Sequence, residues 1–497
     1  MLDIEIKLKP SKCKILLGMF NGSISQIPYQ VVMPLLPWLT QYIFMIGQYG
    51  LVFQALCHIG ILIARLFAGP LIKQIGSRLV IMIGGLLTLQ YFIYIFYLIS
   101  RIFTHYIFNP FELQYKLTGH FKVFIFLSFL FGIGIFLSYE GNHRYIKHCA
   151  VNIEKIEERQ RRQDQYTKYY NQLVFFFKII GIIIAAVLVF DLHSGSVTSF
   201  TLQFDNLMIF CSALSLGSFV IALMMPAPYT VRKQNSIDYI EEQSDHNRIQ
   251  SNSQKNHISE FYDYESPYYF TLKTVIKDLF TEIFSTRMAK YTLHIICSAS
   301  MSTMFESVAF VFMYTKIRDN VQENELRVAY LMFIPYVGIY LLLSFCTCRT
   351  CYDFNDQGRQ RTSRKWGAII NLFTFLGMCI IAIIFRTKKW DFYKISAAQT
   401  IGIFVGGAAY CGLCDLLLQK QRKSLAFQGQ RHKSFYQATQ IVEEFVKAVI
   451  QIALFLHYYI WIDQWNFEEL LGFQFFILIA ISLALGMILQ VLIWLFF

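Results

Sequence analysis

The chain of 497 residues is 55% hydrophobic and only 15% charged, with 48 phenylalanines. A soluble chain of this length would divide into several domains with far more surface charge, so the composition excludes that class and points to a multi-spanning membrane protein. Its net charge of +12 does not indicate nucleic acid, because most Lys and Arg fall in alternate connections between apolar runs. That asymmetry predicts both termini in the cytosol, with attraction to anionic lipid as a secondary effect.

Crossing ~30 Å of hydrocarbon takes about 20 apolar residues. Twelve runs qualify: 15–38, 48–72, 79–100, 121–140, 172–191, 205–226, 288–315, 326–348, 367–385, 395–418, 436–460 and 471–497. The expected architecture is therefore all-helical and membrane-embedded, with two six-helix halves, 1–226 and 287–497, joined by a cytosolic linker, 227–286. Residues 1–14 are polar and basic and do not read as a cleavable signal peptide.

Span one holds "GMFNGSISQIPYQ" (18–30). Its polarity and proline predict a kinked helix in which Asn21 and Gln26 line a cavity; packing of small residues is the other reading. Span two carries His58 and Arg65, charge that hydrocarbon tolerates only for a reason. Arg65, about two turns above the following loop, snorkels, pairs, or meets a substrate.

After span two comes "GPLIKQIGSR" (69–78). Gly69, Gly76 and Arg78 resemble the gating loop between the second and third helices of major facilitator transporters, roughly G-x-x-x-D-R-x-G-R-R/K. Lys73 stands where that pattern has its acid, and Gln74 where it has an arginine. The loop's acid normally contacts arginine and the adjacent helix end. With that charge reversed, Lys73 is expected to pair with Glu443 or Glu444 of span eleven, or simply to obey the positive-inside rule.

The connection between spans four and five contains "VNIEKIEERQRRQDQYTKYY" (151–170), a charged helix that is either solvated or a protein-docking surface. The linker is rich in Ser, Asn, Gln and charge, and its first part is expected to be disordered. Its end, "YFTLKTVIKDLFTEIF" (269–284), places Leu272, Val275, Ile276, Leu279, Phe280, Ile283 and Phe284 on one helical face, predicting a short helix along the cytosolic surface.

In the second half, Glu306 of span seven is either a proton or cation site or a buried, paired carboxyl. "CYDFNDQGRQ" (351–360) echoes the loop at 69–78, with Gly358 and Arg359 matching. Asp415, Gln419 and Gln421 follow in and after span ten as further candidates for an ion, proton or solute. Cys346, Cys348 and Cys351 lack a fourth metal ligand at a usual spacing, and "CGLC" (411–414) lies inside an apolar run. Neither supports a metal centre or redox enzyme, no cofactor motif is present, and the chain does not read as an enzyme.

Three stretches resemble the Unc-93-like branch of the major facilitator superfamily. They are "AGPLIKQIGSRLVIMIGGLLTLQYFIYIFYLISR" (68–101), "GIGIFLSYEGNHRYIKHCA" (132–150) and "YCGLCDLLLQKQ" (410–421). In the second, Gly141, Tyr145 and Ile146 stand at the positions of G-x-x-x-Y-L; in the third, Gly412, Asp415, Gln419 and Gln421 match G-L-G-D-x-x-x-N-x-Q. The resemblance implies an accessory subunit of a potassium channel, or an escort of a membrane receptor. A secondary transporter working by alternating access on a small solute or ion is the other expectation.

Overall fold

The computed structural model describes residues 12–33, 36, 39–40, 49–106, 110–149, most of 162–181, 197–226, 272–289 and 432–461, with the single positions 292, 295, 299 and 303. Glu306, Asp415, Gln419, Gln421 and the loop at 351–360 lie outside these residues. The described segments are helical, with no strand among them: α1 (Lys12–Val32), α2 (Tyr49–Ile75), α3 (Ser77–Tyr106), α4 (Pro110–His148), α5 (Val197–Met224), α6 (Leu272–Ile283) and α7 (His432–Trp461). Stretches within α2, α3, α4 and α5 are long and apolar enough to cross a membrane. At 1.5 Å per residue, 20 residues reach the ~30 Å of a hydrocarbon core.

The helices α1 to α5 form one packed group. α4 is central, contacting α1, α2 and α3, while α5 packs against α1 and α3. The α2–α4 crossing is made backbone to backbone. A Cβ on Gly60 would stand 2.2 Å from the Phe129 carbonyl oxygen, and one on Gly132 would stand 2.0 Å from that of Cys57. α7, from the other end of the sequence, packs on α2, and α6 packs on α7 and touches α2.

Between α2 and α3 the chain reverses at Gly76, whose φ is +84°. Its N–H still donates to the Ile72 carbonyl at 2.9 Å, so Gly76 closes α2 as a left-handed cap. A side chain is disfavoured there by backbone sterics. Gly69, one residue before Pro70 and inside α2, has open space where a Cβ would lie. Gly76→Ala is therefore expected to lower thermal stability by about 1 kcal/mol, whereas Gly69→Ala stays near wild type. Unfolding of the two purified variants in detergent checks the difference.

Arg78 answers for the far side of this loop. Its Nε donates to the Ala222 carbonyl at 3.2 Å, and Nη2 donates to the Leu223 carbonyl. The Tyr145 hydroxyl donates to the Pro226 carbonyl at 2.8 Å. Between them they satisfy carbonyls that the end of α5 leaves without helical partners, at the negative pole of its dipole.

Candidate functional site

α2 and α7 carry polar residues at the same spacing. Gln54, His58 and Arg65 on one, and Gln440, Glu444 and Gln451 on the other, both follow i, i+4, i+11. At 3.6 residues per turn, that spacing sets each trio on a single stripe. The helices run antiparallel, so the stripes meet along their length.

At one end, Gln451 Nε2 donates to Gln54 Oε1 at 3.4 Å, while Gln54 Nε2 donates to the Met33 carbonyl at 2.6 Å. At the other, Arg65 Nη1 donates to Gln440 Oε1 at 2.7 Å. Glu444 lies opposite the interval between His58 and Arg65 and gives one oxygen to each. Its Oε2 is 2.7 Å from His58 Nδ1, and its Oε1 is 3.3 Å from Arg65 Nη2. Glu444 and His58 are both buried.

α4 supplies a further contact: the Arg65 guanidinium stands 4.6 Å over the Phe136 ring, a favourable position for a cation on a π face. Arg65 Nε has no hydrogen-bond partner in the described structure. One turn along α7, Lys447 Nζ lies 3.2 Å from Glu443 Oε1.

The seam is apolar at both ends. Toward Tyr49, rings take over: Tyr49 lies 5.1 Å from Phe455 and 4.8 Å from Phe121, and Phe53 meets Phe124 edge-on at 4.6 Å. Toward the loop at 69–78, Phe435, Ala438 and Ile441 of α7 pack with Leu279 of α6, and Leu62 and Leu66 of α2 lie against them. Two apolar plugs thus flank one buried ionic group.

Several sequence expectations meet this geometry. Arg65 pairs, one of its three expected roles. Glu444 reaches across to α2, but its carboxylate is taken by His58 and Arg65. The Lys73 side chain is not among the described ones. With Arg65 opposite Gln440, position 73 stands opposite the start of α7, about 18 Å along the axis from Glu444. Glu443 turns to Lys447 within its own helix. Of the stretch 69–78, expected as a loop, 69–75 continue α2 and 77–78 begin α3, so the connection is Gly76 alone; Gly76 and Arg78 organise α2, α3 and α5.

Asn21 and Gln26 face α4. Asn21 Nδ2 donates to Asn142 Oδ1 at 3.3 Å, and Gln26 Nε2 donates to the Ile135 carbonyl at 3.3 Å. Asn142 in turn donates to the Ser138 carbonyl at 2.8 Å. Both side chains are buried; they tie α1 to α4, and Asn21 Nδ2 also reaches Met225 Sδ, just past α5, at 3.8 Å. Gln54, Gln440 and Gln451 do not stand out in the sequence, because a lone glutamine in an apolar run carries little signal. The shared spacing of the two stripes was the readable sign.

The described cysteines Cys13, Cys57, Cys149 and Cys211 are free. Just beyond α4, burial pushes the Cys149 thiol up to about 11, which keeps it protonated and inert near neutrality. No group of three or more potential metal ligands occurs among the described residues.

No known sequence family matches the chain, and no curated protein matches it. Solved structures do. The xylose transporter XylE from E. coli, in a partially occluded inward-open conformation, matches with TM-score 0.58 at 12% identity, over 97% of this chain and 96% of that one. A peptide transporter, POT, in complex with sulfate matches with TM-score 0.59 at 11% identity, over 97% and 94%. The nucleoside transporter NupG matches with TM-score 0.61 at 9% identity, over 97% and 100%. The chain therefore has the fold of the major facilitator transporters and is an integral membrane protein. At such identities the likeness defines fold alone, and none of these neighbours is an Unc-93-like protein.

Proposed function

We propose that this protein is a secondary transporter of a small solute, working by alternating access, with Glu444 as a proton-linked group at a joint between its halves. The observation that carries this reading is the sharing of one buried carboxylate between His58 and Arg65 across the α2–α7 contact. α2 is bolted to α4 through Gly60 and Gly132, so it moves with the first half of the chain, whereas α7 belongs to the second.

If the helices part at this level, Arg65 and Glu444 lose each other. An unpaired charge in hydrocarbon costs about 2.5–3.5 kcal/mol, so parting needs water, a ligand or a proton. Glu444 can accept that proton, with the His58 ring held 2.7 Å from one of its oxygens. The charged groups around it are His58 and Arg65 from α2, and Glu443 and Lys447 from α7. Phe136 of α4 faces Arg65, and the Glu282–Arg287 pair lies beyond, beside α6. Arg65 Nε, which has no hydrogen-bond partner among the described residues, is a donor that a solute acceptor could take once the helices part.

Glu306, Asp415, Gln419 and Gln421 remain proposed contributors to a solute or ion path from the second half. We assign no enzymatic activity and no cofactor. Both termini, by the Lys and Arg distribution, face the cytosol.

The test is reconstitution into vesicles with an internal pH indicator and imposed gradients of sugars, dipeptides and nucleosides. At least one solute is expected to move protons with it. Glu444→Gln is expected to keep downhill exchange of that solute while losing proton-driven accumulation. The accessory-subunit reading rests on the Unc-93-like resemblance and the reversed charge at Lys73. It would take over if no solute moved protons and the protein co-purified near-stoichiometrically with a channel or receptor.

A further inference from the structure

We propose that the outer face of α6 is a docking surface for anionic phospholipid of the leaflet on the linker side of the membrane. α6 is apolar on two faces, and among the described residues only the inner one is covered. Leu279 is buried and Ile283 half-buried in the cluster formed with Phe435, Ala438 and Ile441 of α7. Glu282, also on the inner side, is held by Arg287 Nη2 at 2.9 Å, and the Arg287 guanidinium lies 5.0 Å over the Phe435 ring. The inner face is thereby occupied, and α6 straps the end of the α2–α7 seam.

The outer face carries Phe280 and Phe284, which are 54% and 83% exposed. Their rings stack 6.5 Å apart at 19°. Lys277, one turn before Phe280, is exposed beside them, and the sequence sets Lys273 a further turn back. Two adjacent phenylalanines with lysines along the same edge suit the boundary between acyl chains and negatively charged headgroups.

Position settles which apolar medium is in reach. α6 turns directly into the next helix. Ser285 caps it, its Oγ accepting from the Met288 N–H at 3.2 Å and its carbonyl accepting from the Ala289 N–H at 3.0 Å. Buried residues of that next helix, Ile295 and Ala299, belong to the same cluster as α7. The exposed phenylalanines therefore sit where the chain enters its helical bundle, beside the ends of α2 and α7. The positive-inside asymmetry assigns that level to the cytosolic leaflet, the one bearing anionic lipid. Occupation of this face would hold α6 down on the seam, so the proposal links leaflet charge to the α2–α7 joint without depending on what the protein transports.

The experiment uses the full chain with a photoreactive p-benzoylphenylalanine in place of Phe284, reconstituted into vesicles of phosphatidylcholine and phosphatidylserine. Phe284 is so exposed that this replacement is expected to leave elution from size exclusion unchanged. After irradiation, intact mass is expected to show phospholipid adducts enriched in phosphatidylserine over its share of the bilayer. Each lysine near the surface contributes about fivefold to that preference. Lys273→Glu with Lys277→Glu should abolish the enrichment while leaving the lipid adducts themselves. Adducts confined to the protein, no adducts, or lipid adducts that mirror the bulk composition would each overturn the proposal.

Discussion

Glu444→Ala is expected to destabilise the folded protein by about 3 kcal/mol, because it leaves the Arg65 guanidinium and the His58 ring inside the bundle without their carboxylate. The loss arises less from the pair's own attraction than from the charge left behind. Two further variants separate those contributions. Arg65→Met alone should cost a similar amount by stranding Glu444. The double variant Arg65→Met with Glu444→Leu should recover much of the loss, since an apolar seam has no charge to strand. Thermal unfolding of the three in detergent, analysed as a double-mutant cycle, measures the coupling. A coupling energy near zero would mean that the two residues do not act as a unit. His58→Gln, which keeps a donor toward the carboxylate, should cost less than either single change.

The second large effect belongs to the crossing that supports this seam. Gly132→Leu would place a side chain where a Cβ alone already falls 2.0 Å from the Cys57 carbonyl oxygen. The obstacle is backbone, so no rotamer change relieves it, and α2 must be pushed off α4. Overpacking usually costs 1–3 kcal/mol, and here about 3 kcal/mol or more is expected. Recovery of monodisperse protein after extraction reads the outcome. Gly217→Ala is the matched control: its Cβ would meet nothing within 4 Å, and alanine favours the helix, so that variant should extract like wild type. A Gly132 variant that did fold would also displace Arg65 from Phe136, giving the seam a second readout.

The two effects have different origins, which explains why only one was open to sequence reasoning. His58, Arg65, Glu443 and Glu444 stand out in any apolar run, since ionisable groups there are rare and need partners. Gly60 and Gly132 do not stand out, because a glycine in a helix carries the same letter whether it faces open space or another backbone. Gly217 and Gly132 differ only in what lies beside them.

The loop at 69–78 makes the same point from the other direction. Its glycines suggested a gate, and Gly76 is indeed the reversal between α2 and α3, marked by a local rule about left-handed backbone. Arg78 caps α5, more than a hundred residues away in sequence. That choice depends on where α5 ends in space. The reversed charge at Lys73 drew attention toward Glu444. The carboxylate has nearer partners on α2 itself, Arg65 and His58, each about one turn from its level, against more than three turns for position 73.

By itself the sequence determined the membrane class, the positions of α1 to α5 and α7, a reversal somewhere within 69–78 and the amphipathic α6. Each follows from length, apolar period or backbone sterics, all of which act within a few residues. Only the tertiary structure decided which partners the buried charges take. Arg65 and Glu444 are separated by hundreds of residues, and their meeting depends on the antiparallel register of α2 and α7. It likewise decided that Asn21 and Gln26 turn toward α4, because a helix has polar positions on a face before anything selects the neighbour that face meets. Partner choice is a property of packing, and packing is summed over the whole chain.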